Sequence, residues 1–301
     1  MVNTSTDRPY RGRFAPSPTG PLHLGSLIAA LASYLDARHH GGQWFVRMED
    51  LDPPREEAGA ADSILASLQR HGLEWDDDVL FQSTRDDAYT EALATLAADG
   101  HLFRCDCTRA QLGPGGACNG RCTNRQDELG DAHALRVRVP HATAIAFRDA
   151  LQGPQSEPLG QASPDFILKR KDGLTAYQLA VVVDDAFQGI THVVRGSDLM
   201  NSTPRQIFLQ QLLGLPEPAY AHLPVITTAQ GQKFSKQNKA PALDDERANC
   251  NLRLALRFLG QPSPPARLYG PDLLAHAAQA WSLAAVPASL SIPAARIGVK
   301  G

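Results

Sequence analysis

The chain of 301 residues has no apolar stretch long enough to cross a membrane. Its first thirteen residues are polar and lack the apolar core of a signal peptide. Both absences argue against a membrane or secreted protein, so we expect a cytoplasmic location. Hydrophobic residues make up 43% of the chain, which predicts a folded core rather than disorder.

An excess of positive charge is also missing, and the net charge of −3 argues against a generic nucleic-acid binder. The charges are unevenly distributed along the chain. Residues 49–91 hold thirteen acidic residues and three arginines, whereas residues 247–301 hold six basic residues and one acidic residue. Such runs are usually solvated surface; the alternative is that only the basic end contacts a polyanion.

Cysteine is scarce, and a disulfide framework is not expected in a cytoplasmic chain. Four of the five cysteines are clustered, at Cys105, Cys107, Cys118 and Cys122, and Cys250 is isolated. The first two and the last two are separated by a glycine-rich loop of ten residues. Four thiolates at this spacing favour one tetrahedral, structural zinc ion with no open position for catalysis. The alternative is four free cysteines.

The hydrophobic pattern predicts an α/β protein. Apolar residues recur with helical spacing between Leu27 and Leu35, and residues 44–48 form a predicted strand. The nearly continuous apolar run at residues 177–183 is predicted to be a buried parallel strand, and residues 222–226 another strand. A helix is predicted between Ser202 and Gly214, because proline in its first turn and glycine after its end are typical helix boundaries.

Changes in composition predict four segments. Residues 1–100 and 164–243 are the two halves of one α/β domain. Residues 101–163, which carry the cysteines and a segment rich in Gly, Pro and Gln, are an inserted α+β subdomain that holds the zinc. Residues 244–301 form a short, helical, basic C-terminal segment.

The segment Arg13-Phe14-Ala15-Pro16-Ser17-Pro18-Thr19-Gly20-Pro21-Leu22-His23-Leu24-Gly25-Ser26 leads from a turn into the first helix. The free N–H groups and the positive dipole end of a helix favour phosphate at this point. His23 can donate to a phosphate oxygen, and Gly25 lets a nucleotide ring approach the backbone. The alternative is a structural turn with a solvent-facing histidine.

A second motif, Lys233-Phe234-Ser235-Lys236, places two ammonium groups around a hydroxyl. This arrangement suits the charge of a triphosphate during in-line displacement, although such a loop alone is usually solvated surface. Together, the two motifs predict adenylate formation from ATP with Mg²⁺. The predicted ATP site is Gly20, His23, Gly25, Ser26, Lys233, Ser235 and Lys236, of which His23, Lys233 and Lys236 are catalytic.

These motifs resemble those of class I aminoacyl-tRNA synthetases of the glutamyl/glutaminyl branch. His23-Leu24-Gly25-Ser26 stands where that class has His-Ile-Gly-His, and Lys233-Phe234-Ser235-Lys236-Gln237 where it has Lys-Met-Ser-Lys-Ser. Further matches are Arg13 to Gly20, Arg47-Met48-Glu49-Asp50-Leu51-Asp52, Val183-Asp184-Asp185, Arg195-Gly196-Ser197-Asp198 and Ser202-Thr203-Pro204-Arg205-Gln206. The resemblance implies a Rossmann-like catalytic domain that activates glutamate.

A glutamate pocket needs a cation for the side-chain carboxylate and an acid for the α-amino group. Arg13 and Arg195 are the candidate carboxylate binders, and Glu49 is the candidate partner of the ammonium group. Tyr177 is expected to close the pocket with its hydroxyl group. The remaining predicted pocket residues are Phe14, Ala15, Pro16 and Ser17. For each arginine alone, a surface ion pair is the alternative.

The chain also resembles one paralogue family, the glutamyl-queuosine tRNA(Asp) synthetases. A full glutamyl-tRNA synthetase carries a long anticodon-binding region, and residues 244–301 are too few to form one. The resemblance implies a monomer that activates L-glutamate without tRNA and transfers it to queuosine in the anticodon of tRNA(Asp). Cys118 stands where that family usually has tyrosine, and Gln237 also departs from its pattern. The alternatives are a truncated glutamyl-tRNA synthetase that charges a tRNA 3′ end and a non-catalytic RNA-binding paralogue.

Overall fold

A computed structural model describes residues 9–228, 231–232 and 241–298. Its helices are α1 (Leu24–His39), α2 (Ala60–Arg70), α3 (Asp86–Ala98), α4 (Leu159–Ala162), α5 (Tyr177–Phe187), α6 (Thr203–Leu213), α7 (Ala248–Phe258) and α8 (Gly270–Ala280). Its strands are β1 (Arg11–Phe14), β2 (Gln43–Met48), β3 (Leu80–Phe81), β4 (Leu102–Cys105), β5 (Ala134–Arg138), β6 (Ile145–Asp149), β7 (Gly153–Glu157), β8 (Asp165–Lys169), β9 (His192–Gly196), β10 (Ala219–Leu223), β11 (Val225–Thr227) and β12 (Ser291–Pro293). Along these residues, no helix has the length and apolarity to span a membrane.

Two largely parallel sheets meet at the first strand. Strands β1, β2 and β3 pair in that order, and the second sheet has the order β7-β6-β10-β9. The N–H group of Thr191 donates to the carbonyl oxygen of Arg11 at 2.9 Å, so β1 lies beside β9. The strand order therefore reverses between β1 and β9, which is the point where open α/β sheets bind ligands.

Helix α1 packs over the junction of the two sheets, and its predicted apolar face is confirmed. Leu27, Leu31 and Leu35 are fully buried in a core shared with residues of β2, α7 and α8. The helix ends at His39, as the following glycines predict, and Gly41 adopts a φ of 63° that favours glycine. The N-terminal end of this helix is thereby fixed above the carboxyl end of β1.

The predicted strand at residues 177–183 is wrong, because these residues lie in helix α5. Its apolar residues from Leu179 to Val182 are all buried in a second core with side chains of α3 and α6. A helix that is buried on most sides shows no polar face, so periodicity alone does not distinguish it from a strand. The predicted strand at residues 222–226 is divided at Pro224 between β10 and β11.

The clustered cysteines belong to a separate antiparallel sheet with the order β4-β5-β8: Cys105 ends β4, and Cys107, Cys118 and Cys122 lie between β4 and β5. Strands β6 and β7, which fall inside the predicted insertion, instead join β10 through β6. The C-terminal strand β12 pairs with β11, and the indole N–H of Trp281 donates to Asp36 of α1 at 2.8 Å. Strands from different predicted segments thus pair with one another, and the boundaries of the four segments stay a prediction.

Replacing Leu31 by Ala should lower the free energy of unfolding by about 2–5 kcal/mol, because it leaves a cavity in the core beneath α1. Chemical denaturation measures the change. Leu290→Ala is the matched control, since that leucine is 59% exposed and its truncation should cost less than about 0.5 kcal/mol. Equal losses in the two variants would contradict the placement of Leu31 in the core.

Candidate active site

A cavity of about 350 Å³ opens at the carboxyl ends of β1 and β9. Its walls are formed by Arg13, Phe14, Ala15, Ser17, Ala29, Glu49, Tyr177, Val194, Arg195, Gly196 and Leu199. The structure therefore brings together seven of the eight residues predicted to bind glutamate. The eighth, Pro16, accepts a hydrogen bond at its carbonyl oxygen from the N–H group of Glu49 at 2.9 Å. Pro16 thus fixes the backbone that carries this acid.

A buried group of charges lies behind the cavity. The guanidinium group of Arg13 is 3.3 Å from Asp185, and that of Arg47 is 2.8 Å from the same carboxylate. Burial opposes the ionisation of Asp185, but the two arginines outweigh it and hold the pKa of this carboxyl below its usual range. Arg13, predicted to bind substrate, is therefore also committed to an ion pair within the protein.

Glu49 has a different environment from Asp185. Burial raises the pKa of its carboxyl to about 6, although Arg47 and Arg13 oppose this shift. Its Oε1 lies 3.6 Å from Nη2 of Arg47, beyond ordinary hydrogen-bond distance. Glu49 thus presents a poorly solvated carboxylate to the cavity, which suits a cationic partner.

Arg195 is buried, and two of its three guanidinium nitrogens are occupied. Nε donates to Nε2 of His222 at 3.2 Å, and Nη2 donates to Thr203 at 2.7 Å and to Gln206 at 2.8 Å. Nη1 is buried and has no hydrogen-bond partner among the residues that the structure describes. A buried donor without a partner is costly, so this nitrogen fits an anionic oxygen of a ligand.

Sequence reasoning missed the residues that hold Arg195. Thr203 and Gln206 stand in a quoted motif but received no role, and the motif could have indicated them. His222 and its partner Asp149 carry no local signal, because they are isolated polar residues on different strands. Only the pairing of β6 with β10 brings these two side chains together.

His23 lies at the start of α1 as its N-cap. Its Nδ1 accepts a hydrogen bond from the N–H group of Ser26 at 3.1 Å. In the neutral ring the proton therefore resides on Nε2, which is then a donor. A Cβ atom at Gly25 would lie 3.1 Å from the ring of His23 and 3.2 Å from Ile226, so this close packing favours glycine.

Lys233 and Lys236, predicted to be catalytic, and Ser235, predicted to bind ATP, lie outside the described residues, and their roles stay a prediction. The described backbone that follows these residues lies close to His23. The N–H group of Leu243 donates to the carbonyl oxygen of Leu22 at 2.9 Å, and Ala242 forms an isolated bridge with His23. The backbone after residue 240 therefore runs beside the start of α1.

The four clustered cysteines form a group that could hold a metal ion. All four are buried, and their Sγ atoms lie within 4.8 Å of one another. The Sγ of Cys107 is 3.8 Å from that of Cys118 and 3.4 Å from that of Cys122. Tetrahedral Zn²⁺ with bonds of about 2.3 Å requires a separation of about 3.8 Å between sulfurs, so the thiols fit this ion.

The backbone of the cysteine group is fixed by one buried acid. Asp165 accepts from the N–H groups of Cys118 at 2.9 Å and Asn119 at 3.0 Å, and it also forms an ion pair with Arg136. Arg136 in turn donates to the carbonyl oxygen of Gly116. The strand pair β5–β8 therefore positions the loop that carries the second pair of thiols.

Comparisons with known proteins agree with these observations. The family model for the catalytic domain of class I tRNA synthetases (E and Q) matches residues 10–115 and 118–256. A crystal structure of glutamate-tRNA synthetase from Elizabethkingia anophelis superposes with a TM-score of 0.79 at 23% identity, over 95% of this chain and 68% of that one. This likeness shows the class I catalytic fold.

Closer relatives carry a more specific name, "Glutamyl-Q tRNA(Asp) synthetase". The protein from Thiobacillus denitrificans is 55% identical over 286 residues, which cover 92% of this chain and 94% of that protein. The protein from Pseudomonas fluorescens is 50% identical over 300 residues, which cover 98% of this chain and 100% of that protein. The chain therefore belongs to the glutamyl-Q tRNA(Asp) synthetase family within the class I tRNA synthetases.

Proposed function

We propose that this protein activates L-glutamate with ATP, without tRNA, and transfers the glutamate to queuosine in the anticodon of tRNA(Asp). The names of its relatives support the reaction. The observation that carries the choice of amino acid is Nη1 of Arg195, a buried donor without a partner among the described residues, in the wall of a small cavity. The substrates also imply a cytoplasmic enzyme, and we propose that it acts as a monomer.

The charges around the cavity complement those of glutamate. Arg13 faces Asp185, whereas Arg195 has no ion-pair partner within 4.0 Å among the described residues, so Arg195 is the stronger candidate for the side-chain carboxylate. Glu49 is the candidate for the ammonium group. Tyr177, the first residue of α5, lines the cavity, and its proposed role is to donate its hydroxyl hydrogen to the bound substrate. The α-carboxylate is then left to react.

Catalysis in this proposal consists of positioning and charge stabilisation. An oxygen of the α-carboxylate attacks the α-phosphorus of ATP, pyrophosphate leaves, and glutamyl-adenylate forms. Nε2 of His23, the N–H groups at the start of α1, Lys233 and Lys236 are the proposed donors to the phosphates. Mg²⁺ bound with ATP supplies further neutralisation of the triphosphate. A hydroxyl group of the modified base then attacks the adenylate, and AMP leaves.

We propose that Cys105, Cys107, Cys118 and Cys122 hold one structural zinc ion. The support is the separation of their sulfurs, which matches tetrahedral thiolate coordination, and the burial of all four residues. With four protein ligands, no coordination position is left for substrate. The metal would therefore stabilise the loop rather than take part in the chemistry.

Queuosine-containing tRNA(Asp) should accept labelled glutamate, and the same tRNA with unmodified guanosine should not. Removal of the 3′-terminal adenosine of the tRNA distinguishes the two possible acceptors. Queuosine in the anticodon should still accept glutamate without this adenosine, whereas the 3′ end should not. Acid-precipitable label measures the transfer. Labelling that ignores queuosine and needs the 3′ adenosine would instead support the charging of a tRNA 3′ end.

The pH dependence of glutamate activation should report Glu49. The free enzyme is expected to lose kcat/KM for glutamate about tenfold per pH unit below pH 6, because protonation removes the charge that pairs with the ammonium group. Glutamate-dependent pyrophosphate exchange measures this. Glu49→Gln should lower kcat/KM and remove the inflection near pH 6. The exposed Glu57→Gln control should keep the wild-type profile, and an unchanged inflection in Glu49→Gln would contradict the assignment.

Metal analysis of the purified protein should find one zinc ion per chain. Cys122→Ser should lose it and increase hydrogen exchange between residues 105 and 122, because ligand binding and local folding are coupled in such sites. Cys250→Ser is the matched control, since Cys250 is exposed and distant in sequence from the cluster, and it should retain the metal. Full zinc content in Cys122→Ser, or unchanged exchange after its loss, would contradict the structural site.

A further inference from the structure

A line of buried polar side chains connects three neighbouring strands to the cavity. Asp149 ends β6, His222 lies in β10, and Arg195 lies in β9. Oδ2 of Asp149 is 2.6 Å from Nδ1 of His222, and Nε2 of the same ring is 3.2 Å from Nε of Arg195. The side chains of Asp149 and His222 are fully buried.

The partners of His222 determine where its proton lies. An arginine guanidinium group only donates hydrogen bonds, so Nε2 must accept the bond from Nε of Arg195. Nδ1 must then carry the proton and donate a hydrogen bond to Asp149. Burial lowers the pKa of His222, and the nearby charge of Arg195 acts in the same direction against the effect of Asp149. His222 is therefore a neutral ring with a single tautomer.

Asp149 is itself held in place by the backbone. Its Oδ1 accepts from the N–H groups of Leu151 at 3.0 Å, Gln152 at 2.8 Å and His222 at 3.2 Å. Burial opposes the ionisation of Asp149, but the bonds from His222 and these amides lower its pKa below the usual range. A fixed, ionised carboxylate thus stands at the far end of the line from the cavity.

We propose that Asp149 and His222 are positioning residues for amino-acid recognition, which orient the guanidinium plane of Arg195 by supplying an acceptor for its Nε. The guanidinium group is planar, so fixing Nε and Nη2 also fixes the direction of Nη1. Nη1 is the nitrogen that stays available for a carboxylate. This inference rests on the proposed role of Arg195 in binding glutamate.

The decisive variant is Asp149→Asn, which keeps an oxygen for the three backbone amides but turns an NH₂ group toward Nδ1 of His222. The proton of His222 then moves to Nε2, where it opposes the N–H group of Arg195 and turns toward Oγ1 of Thr203, which lies 3.0 Å from Nε2. The KM for glutamate should rise on the order of 10- to 100-fold, while the KM for ATP stays within about threefold. His222→Leu should act similarly, and His222→Gln, which keeps an acceptor near the position of Nε2, should recover part of the loss.

Tyr220→Phe is the matched control on β10, because it removes only a buried hydroxyl group that bonds Gln210 and keeps the ring that lies against Arg195 and His222. It should lose stability but keep the wild-type KM for glutamate. If Asp149→Asn and His222→Leu behave like this control, the two residues are only structural and the proposal fails. If Arg195→Lys also leaves the KM for glutamate unchanged, the failure lies in the proposed role of Arg195.

Nitrogen-15 NMR of histidine-labelled wild-type protein provides a direct test of the tautomer of His222. The His222 signals, assigned by their loss in His222→Gln, should show a proton on Nδ1 and a bare Nε2. A proton on Nε2, or a doubly protonated ring at neutral pH, would overturn the proposal. In Asp149→Asn the same signals should instead show a proton on Nε2 and a bare Nδ1.

Discussion

The ion pairs of Asp185 with Arg13 and Arg47 hold the active site together. Arg13 comes from β1, Arg47 from β2 and Asp185 from α5, so one carboxylate joins a helix to two strands. Loss of one partner in such a buried group leaves an uncompensated charge and costs about 3–5 kcal/mol. The position of every residue at the carboxyl ends of these strands depends on this arrangement.

The same group of charges gives the neighbouring acids different properties. Asp185 contacts two guanidinium groups closely, whereas Glu49 is buried beside them without a short bond to either. Their pKa values consequently shift in opposite directions. One carboxylate has a structural role, and the other stays available for a ligand, although both lie in one small region of the protein.

Much of the site could be predicted from the sequence because its residues follow short, locally constrained segments. The turn before α1 needs proline and glycine, and Arg13, Glu49 and Arg195 stand within such recognisable strings. The helical state of residues 177–183 could not be predicted, because burial on most sides removes the polar face that reveals a helix. Asp149 and His222 could not be found either, since a pair 73 residues apart is joined only by strand pairing.

The pairing of β12 with β11 has a consequence for how the protein is made. Ile226 of β11 packs closely against Gly25 at the start of α1, and its strand partner Ile292 lies near the end of the described chain. During synthesis, the segment that leads into α1 leaves the ribosome long before residues 291–293 exist. The strand pairing that supports the wall beside Gly25 therefore forms only after residues 291–293 have been translated, and before that point a nascent chain has this segment without its support.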